Sequence, residues 1–288
     1  MNGLLVLDKP GGMTSRDAVN RLQKWFPRQT KIGHTGTLDP LATGVLVVCI
    51  GFATRLADYV QAMGKSYESR FRLGVSSTSD DADGEVTETL SAVAPTRAQI
   101  DLALTAFSGN VEQLPPSVSA LKVGGRRAHD LARKGKEVPL APRTVRIDAV
   151  RVLAYEWPWL DVEVDCGKGT YIRSIARDLG ARLGCGGLVQ TLRRTRVGPF
   201  LAEQGVSVDA DPAGVKLLPM TIAVAGMEQI RLSADEIRRL RQGQRIKANG
   251  ERTTPDGLEI ALLDESGELV GICVIEGDLI VTQIMFAA

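Results

Sequence analysis

Histidine is almost missing from this chain: 288 residues hold two, His34 and His129. The four cysteines, Cys49, Cys166, Cys185 and Cys273, form no CxxC pair and have no histidine at ligand spacing. A structural zinc site therefore lacks its ligand set, and reduced, buried thiols in a cytoplasmic protein are expected. Also missing are a P-loop, a GxSxG, an HExxH and a GxGxxG following a strand, so nucleotide hydrolysis, serine hydrolysis and zinc catalysis lose their usual signatures. No apolar run approaches the length of a membrane span. The opening "MNGLLVLDKPGG" is too short and too soon charged for a secretory signal.

What remains is ordinary globular material, with 44% hydrophobic and 24% charged residues and a length that suggests about two domains. Net charge is only +1, but it is unevenly spread. Residues 119–199 hold sixteen Lys and Arg against eight Asp and Glu, and residues 1–73 hold ten against five. Residues 200–288 are acidic, with eight against fourteen. Clustered cations are the footprint of a polyanion site; the plain alternative is a set of solvated helix faces.

The pattern reads as α+β. "LLVLDKPGGMTS" predicts a short strand, a Pro-Gly turn and a helix capped by Thr14 or Ser15, with Ala18, Val19, Leu22, Trp25 and Phe26 on its apolar stripe. "VLVVCI" predicts a buried strand. "KSYESRFRLGV" alternates, with Tyr67, Phe71, Leu73 and Val75 on one face, so it predicts a half-buried strand. Thr96 and Gln99 predict a capping box. "VRIDAVRVLAYE" and "LDVEVDC" predict strands, and "TYIRSIARDLGARLG" an amphipathic helix with Ile172, Ile175, Ala176, Leu179 and Leu183 facing the core. A mixed, mostly antiparallel sheet with flanking helices is expected over residues 1–227. The pattern then restarts. Ser233 and Glu236 predict a second capped helix, Gly243 stops it, and three β-like runs predict a small β-rich domain over 228–288.

Three local features invite chemistry. Asp39 lies in "GHTGTLDPLATGVL" with no other charged residue except His34, should it protonate. Pro40 disfavours a helical Asp39, and the Gly residues let a ligand approach the backbone. This is either an Asp-Pro turn or a site. Arg173, in "CGKGTYIRSIARDLG", falls in the first turn of its predicted helix, where a cation opposes the dipole. It is either solvated or reaches for a carboxylate, and a lone Asp in a dry pocket needs such a partner. Tyr67 is either core or a surface on which a base stacks.

Taken together, "GLLVLDKPGGMTS", "IGHTGTLDPLATGVL", "KSYESRFRLG", "PPSVSALKVGGRRAHDLARKGKEV", "CGKGTYIRSIARDLG" and "LRRTRVGPF" resemble the TruB-type tRNA pseudouridine-55 synthases, in family order to about residue 200. The tail from about 228 resembles, less sharply, the PUA-like RNA-binding module of that family. The resemblance implies the pseudouridine synthase fold and an isomerase that turns one T-loop uridine of tRNA into pseudouridine, without metal or cofactor. The base leaves the stack, its glycosidic bond breaks, and it is rejoined through C5. A carboxylate can act at an anomeric carbon, through either a covalent sugar bond or a glycal. By matching position, Asp39 is the nucleophile and Arg173 its partner. Tyr67 stacks on the flipped uracil and assists proton transfer, His34 fills the gap left by the flipped nucleotide, and Tyr171 and Leu192 line the pocket. Arg126 and Arg127, in the basic block, are expected to meet tRNA phosphates. His129 departs from the Tyr common in the family and receives no role. The expected partner is the tRNA T arm, with no membrane, no obligate protein partner and a monomeric chain.

Two other readings compete. One is the related guide-RNA-dependent synthase of box H/ACA particles, against which the acidic tail argues. The other is an RNA-remodelling protein acting at the tRNA elbow.

Overall fold

The computed structural model describes residues 1–118, 122–123, 126–127, 140–248, 255 and 257–286, with side chains left out at 122–123 and 126–127. The first half runs β1 (Gly3–Lys9), α1 (Ser15–Leu22), β2 (Ile32–His34), β3 (Thr43–Ile50), α2 (Ala57–Ala62), β4 (Lys65–Leu73), β5 (Val75–Ser77), β6 (Val86–Glu88), α3 (Arg97–Leu104) and β7 (Gly109–Gln113). There follow β8 (Lys122–Val123), β9 (Arg126–Arg127), β10 (Arg143–Glu156), β11 (Trp159–Cys166), α4 (Ile172–Arg182), β12 (Gly187–Val197) and β13 (Phe200–Leu201). The tail adds β14 (Gln229–Arg231), α5 (Ala234–Arg241), β15 (Ile246–Lys247), β16 (Glu259–Leu263), β17 (Leu269–Glu276) and β18 (Leu279–Met285).

Among the described residues, nine strands form one sheet in the order β1-β3-β12-β4-β11-β10-β7, with β2 added to β3 and β13 to β12. Its pairings are antiparallel except β12 with β3. The expected mixed, mostly antiparallel sheet is what forms. Period-two alternation explains β4: Tyr67, Ser69, Phe71 and Leu73 are buried, while Glu68 and Arg70 are exposed. "VLVVCI" does not alternate because β3 is covered on both faces. Leu46, Val48 and Ile50 join Ile175 and Leu179 of α4 in one core. Val45, Val47 and Cys49 join Leu4 and Val6 in another, where they meet Ala261, Leu263 and Ile272 of the tail.

The capping boxes form as expected at Thr96 with Gln99 and at Ser233 with Glu236, and of the two expected caps for α1 Thr14 is the one used, completed as a box by Asp17. Helix α1 ends at Leu22, so Trp25 and Phe26 lie beyond it, partly buried against the same core. Among the described residues the tail builds a five-stranded sheet, β14-β16-β17-β18-β15, with a further core of Ile230, Leu232, Ile237, Leu240, Ile260 and Ile275. Among the described residues no helix is long and apolar enough to cross a membrane.

One glycine fixes the centre of the sheet. Gly44 has φ +98°, and a Cβ there would lie 2.1 Å from the Arg194 carbonyl oxygen. Only glycine allows β3 and β12 to meet this closely. The parallel contact brings the segment after Asp39 against the strand that carries Leu192 and Arg194.

Candidate active site

The loop between β2 and β3 carries Asp39 and is tied down from several sides. Ser15 at the start of α1 accepts from the Leu38 N–H at 2.8 Å and donates to the Leu38 carbonyl at 3.1 Å. Gly12 N–H donates to the Pro40 carbonyl at 2.9 Å. Ala42 N–H donates to the Asp39 carbonyl at 3.1 Å, so Asp39 and Pro40 open a tight turn. The turn and the candidate site are one object. Lys9, fully buried at the end of β1, donates from Nζ to the carbonyls of Pro10 and Met13 at 2.8 Å each and of Pro40 at 3.4 Å. It binds the Pro-Gly turn to the Asp39 turn.

Arg173 arrives from the other end of the chain. It is the second residue of α4, whose N-terminal Tyr171 supplies no side-chain cap. Buried Gln113 of β7 does so instead: its Oε1 accepts from Tyr171 N–H at 2.8 Å and its Nε2 donates to the Tyr171 carbonyl at 3.0 Å. The Arg173 guanidinium, 4% exposed, donates from Nη2 to Asp39 Oδ1 at 3.1 Å. Its Nε lies 3.0 Å from Asp39 Oδ2 but off the line of a hydrogen bond. Nη1 meets Asp81 Oδ2 at 3.2 Å and the Ser79 carbonyl at 2.8 Å, and Nη2 also donates to the Val118 carbonyl at 3.0 Å. Two carboxylates and two carbonyls answer a cation placed at the unfavourable end of a helix.

Asp39 and Arg173 floor a cavity of about 360 Å³. Asp39, Tyr67, Tyr171, Arg173 and Leu192 all line it, as do Lys65, Arg143, Lys168 and Arg194. Burial pushes the Asp39 carboxyl pKa up; Arg173 pulls it down, Asp81 raises it and Lys9 lowers it. A third of the Asp39 side chain still opens to the cavity mouth, and its contacts with Arg173 suit the ionised form. Burial also raises the Tyr67 hydroxyl, beside which Arg194 sits. Lys9 is lowered to about 8 by burial, a shift that Asp39 opposes and Arg194 furthers. Lys65, whose Nζ donates to the carbonyls of Gln61 and Met63, is likewise lowered to about 8 by burial and then by Arg194.

Five of the residues expected at the site thus line one cavity. His34 ends β2, half-buried and paired with Val48, and is not part of the cavity lining. Arg126 and Arg127 form β9 against β8, and their side chains, like His129 altogether, lie outside the described residues. The sequence reading missed Asp81, Lys9 and Arg194. Asp81 lies in a run of acidic residues with Asp80 and Asp83, and nothing local marks it out. The other two carried a signal. In β1, Lys9 continues the period-two series of buried Leu5 and Leu7. In β12, Arg194 stands two residues from Leu192, on the face already expected to line the pocket. Among the described residues, no three or more His, Cys, Asp and Glu side chains gather as a metal would need.

Comparison with known proteins bears on this geometry. Residues 24–172 match the N-terminal domain of the TruB family pseudouridylate synthases, and residues 173–210 match the tRNA pseudouridylate synthase B C-terminal domain. A tRNA pseudouridine synthase B of Mycobacterium sp. (strain KMS) is 43% identical over 274 residues, spanning 91% of this chain and 92% of the relative. One from Thermobifida fusca (strain YX) is 42% identical over 291 residues, spanning 96% and 99%. The structure of an H/ACA RNP bound to a substrate RNA containing 2'-deoxyuridine superposes with a TM-score of 0.74 at 23% identity, over 99% of this chain and 85% of that one, a likeness of fold. With matches over most of its length to the same enzymes, the chain belongs to the TruB family of pseudouridylate synthases.

Proposed function

We propose that this chain converts a uridine in the T loop of tRNA, position 55, to pseudouridine, acting on the RNA alone and in the cytoplasm. The observation that carries the reading is the Asp39–Arg173 pair on the floor of a cavity whose wall is Tyr67. A base inside folded RNA must leave the stack to reach such a floor. The relatives' names, tRNA pseudouridine synthase B, support tRNA as the substrate. Four buried, unpaired cysteines suit a reducing compartment.

In this reading Asp39 acts at C1′ of the target sugar, either adding to it or steering a glycal. Arg173 holds the carboxylate ionised and aimed. Tyr67 stacks on the uracil, and Tyr171 and Leu192 confine it. His34, on the strand that enters the Asp39 turn, is assigned the filling of the gap left by the flipped nucleotide. Lys168 and Arg143 are exposed at the cavity lining and suit phosphates; Arg126 and Arg127 are assigned the same task. Residues 1–227 form the synthase unit and residues 228–288 a PUA-like RNA-binding unit, a division supported by the separate core of the tail. The test is release of tritium from C5 of the target uridine in a bare T-arm RNA, with no guide RNA and no second protein. Release is expected, and its absence with intact RNA binding would favour the remodelling role instead.

A further inference from the structure

The cavity wall holds a cation to which the mechanism above gives no task. Arg194 lies in β12, opposite Tyr67 of β4 on one side and Gly44 of β3 on the other. It is 3% exposed and lines the cavity. Its Nε donates to the Val45 carbonyl at 2.7 Å and its Nη2 to the Gly36 carbonyl at 3.1 Å. The contrast with Arg173 is sharp. Arg173 faces two carboxylates; among the described residues Arg194 has carbonyl acceptors and no carboxylate at ion-pair distance.

The charge around the cavity floor is out of balance. Lys9, Lys65, Arg173 and Arg194 are buried cations, and among the described residues the carboxylates that face them are Asp39, Asp81 and Asp80, the last already paired with Arg177. The lysines register this: burial lowers both, and Arg194 lowers them further. Buried positive charge without an anion is unfavourable unless an anion arrives.

A uracil joined to ribose is neutral. When C1′–N1 breaks, the electron pair leaves with the base, and the detached uracil is an anion spread over N1 and the two exocyclic oxygens. A fixed cation surplus beside Tyr67 gains little from the bound uridine and much from that anion. We propose that Arg194, together with the Tyr67 hydroxyl it flanks, stabilises the detached uracil anion between cleavage of C1′–N1 and formation of C5–C1′. The proposal rests on the synthase reading above. The pair that left with the base returns from the ring to bond C5 to C1′. C5 then loses its proton and N1 gains one, so the product is an isomer of the substrate. Arg194 keeps its protons throughout.

The same guanidinium also ties down the Asp39 loop, and the test separates the two roles. Single-turnover consumption of the target nucleoside is measured in T-arm RNA carrying uridine or 5-fluorouridine there. Fluorine stabilises the departing anion, so a protein that has lost its own stabilisation depends more on fluorine. Arg194→Gln is expected to raise the ratio of 5-fluorouridine to uridine rates about ten-fold over wild type. Arg194→Lys keeps the charge but not the forked clamp, and its ratio is expected to stay near wild type even if both rates fall. Equal slowing of both substrates by both variants overturns the proposal and leaves Arg194 as a loop clamp. Should Arg194→Gln not fold, Tyr67→Phe is expected to raise the same ratio, and an unchanged ratio there overturns the proposal too. A wild-type chain that consumes neither RNA overturns the synthase reading, and this proposal with it.

Discussion

At Asp39 one side chain answers to several charges, and each predicts something different. Asn has nearly the shape of Asp, so Asp39→Asn should leave the Ser15, Gly12 and Lys9 ties to the loop intact and the protein folded. Its tRNA affinity should match or exceed wild type, since a charge that repels phosphate is gone. Tritium release from C5 should fall below detection; a measurable residual rate would remove Asp39 from the chemistry. Arg173→Lys keeps a cation but cannot reach Asp39, Asp81 and two carbonyls with one planar fork. The rate should drop roughly a hundred-fold or more, the scale of losing one preorganised donor. Binding measured by filter retention should hardly change.

At the scale of elements, Gly44 and the buried lysines carry the expectations. Gly44→Ala forces a side chain into left-handed backbone and against the Arg194 carbonyl. A loss of roughly 3 kcal/mol or more is expected in urea unfolding. Lys9 gives a pH dependence of defined sign. Its pKa falls from 10.5 to about 8 on folding. Between those values the unfolded chain holds the proton and the folded one does not, so this residue makes folding more favourable as pH rises through the window. Its burial penalty is present in full below about pH 8. Activity should run the other way, because a neutral amine has two N–H groups for three carbonyls and no charge to set against Asp39. Melting temperature and rate, followed from about pH 7 to about pH 10 in wild type and Lys9→Met, should diverge; a Lys9→Met profile identical to wild type would refute this.

These elements also mark what the sequence makes legible. Strands β3 and β4, the helix that carries Arg173 and the capping boxes at Thr96 and Ser233 follow from periodicity and caps, which are local signals. Asp39 stands out because its surroundings are uncharged. Asp81 does not, because its role depends on meeting Arg173 more than ninety residues away, and neighbouring acids hide it. The parallel β3–β12 contact is also invisible in either strand alone; only Gly44 hints that something approaches closely there.

Across the whole molecule the tail is both separate and shared. Its own core argues for a unit over 228–288. Yet Ala261, Leu263, Leu269, Ile272 and Phe286 pack in one cluster with Leu4, Val6, Val45 and Val47 of the large sheet. Deleting residues after 227 exposes that face, and each large aliphatic side chain uncovered forfeits roughly 1.5–3 kcal/mol. The truncated chain should melt well below the full chain, besides binding tRNA more weakly. An unchanged melting temperature would show that the back face of the sheet repacks by itself.

The union of distant chain segments at the site has a consequence for biosynthesis. Asp39 and Arg173 are 134 residues apart in sequence, and Arg194 reaches back 149 residues to Val45. Contacts of such span form late and slowly. A ribosome that has released only the first half of the chain has made the carboxylate but not its guanidinium, and β3 is without its central neighbour. Until about residue 197 has emerged, the nascent chain holds a bare apolar strand with buried sides on both faces, the kind of edge that aggregates. The chain should therefore acquire resistance to protease and affinity for the RNA substrate together, in one late step. Ribosome-bound intermediates stalled before and after β12 would show that step directly.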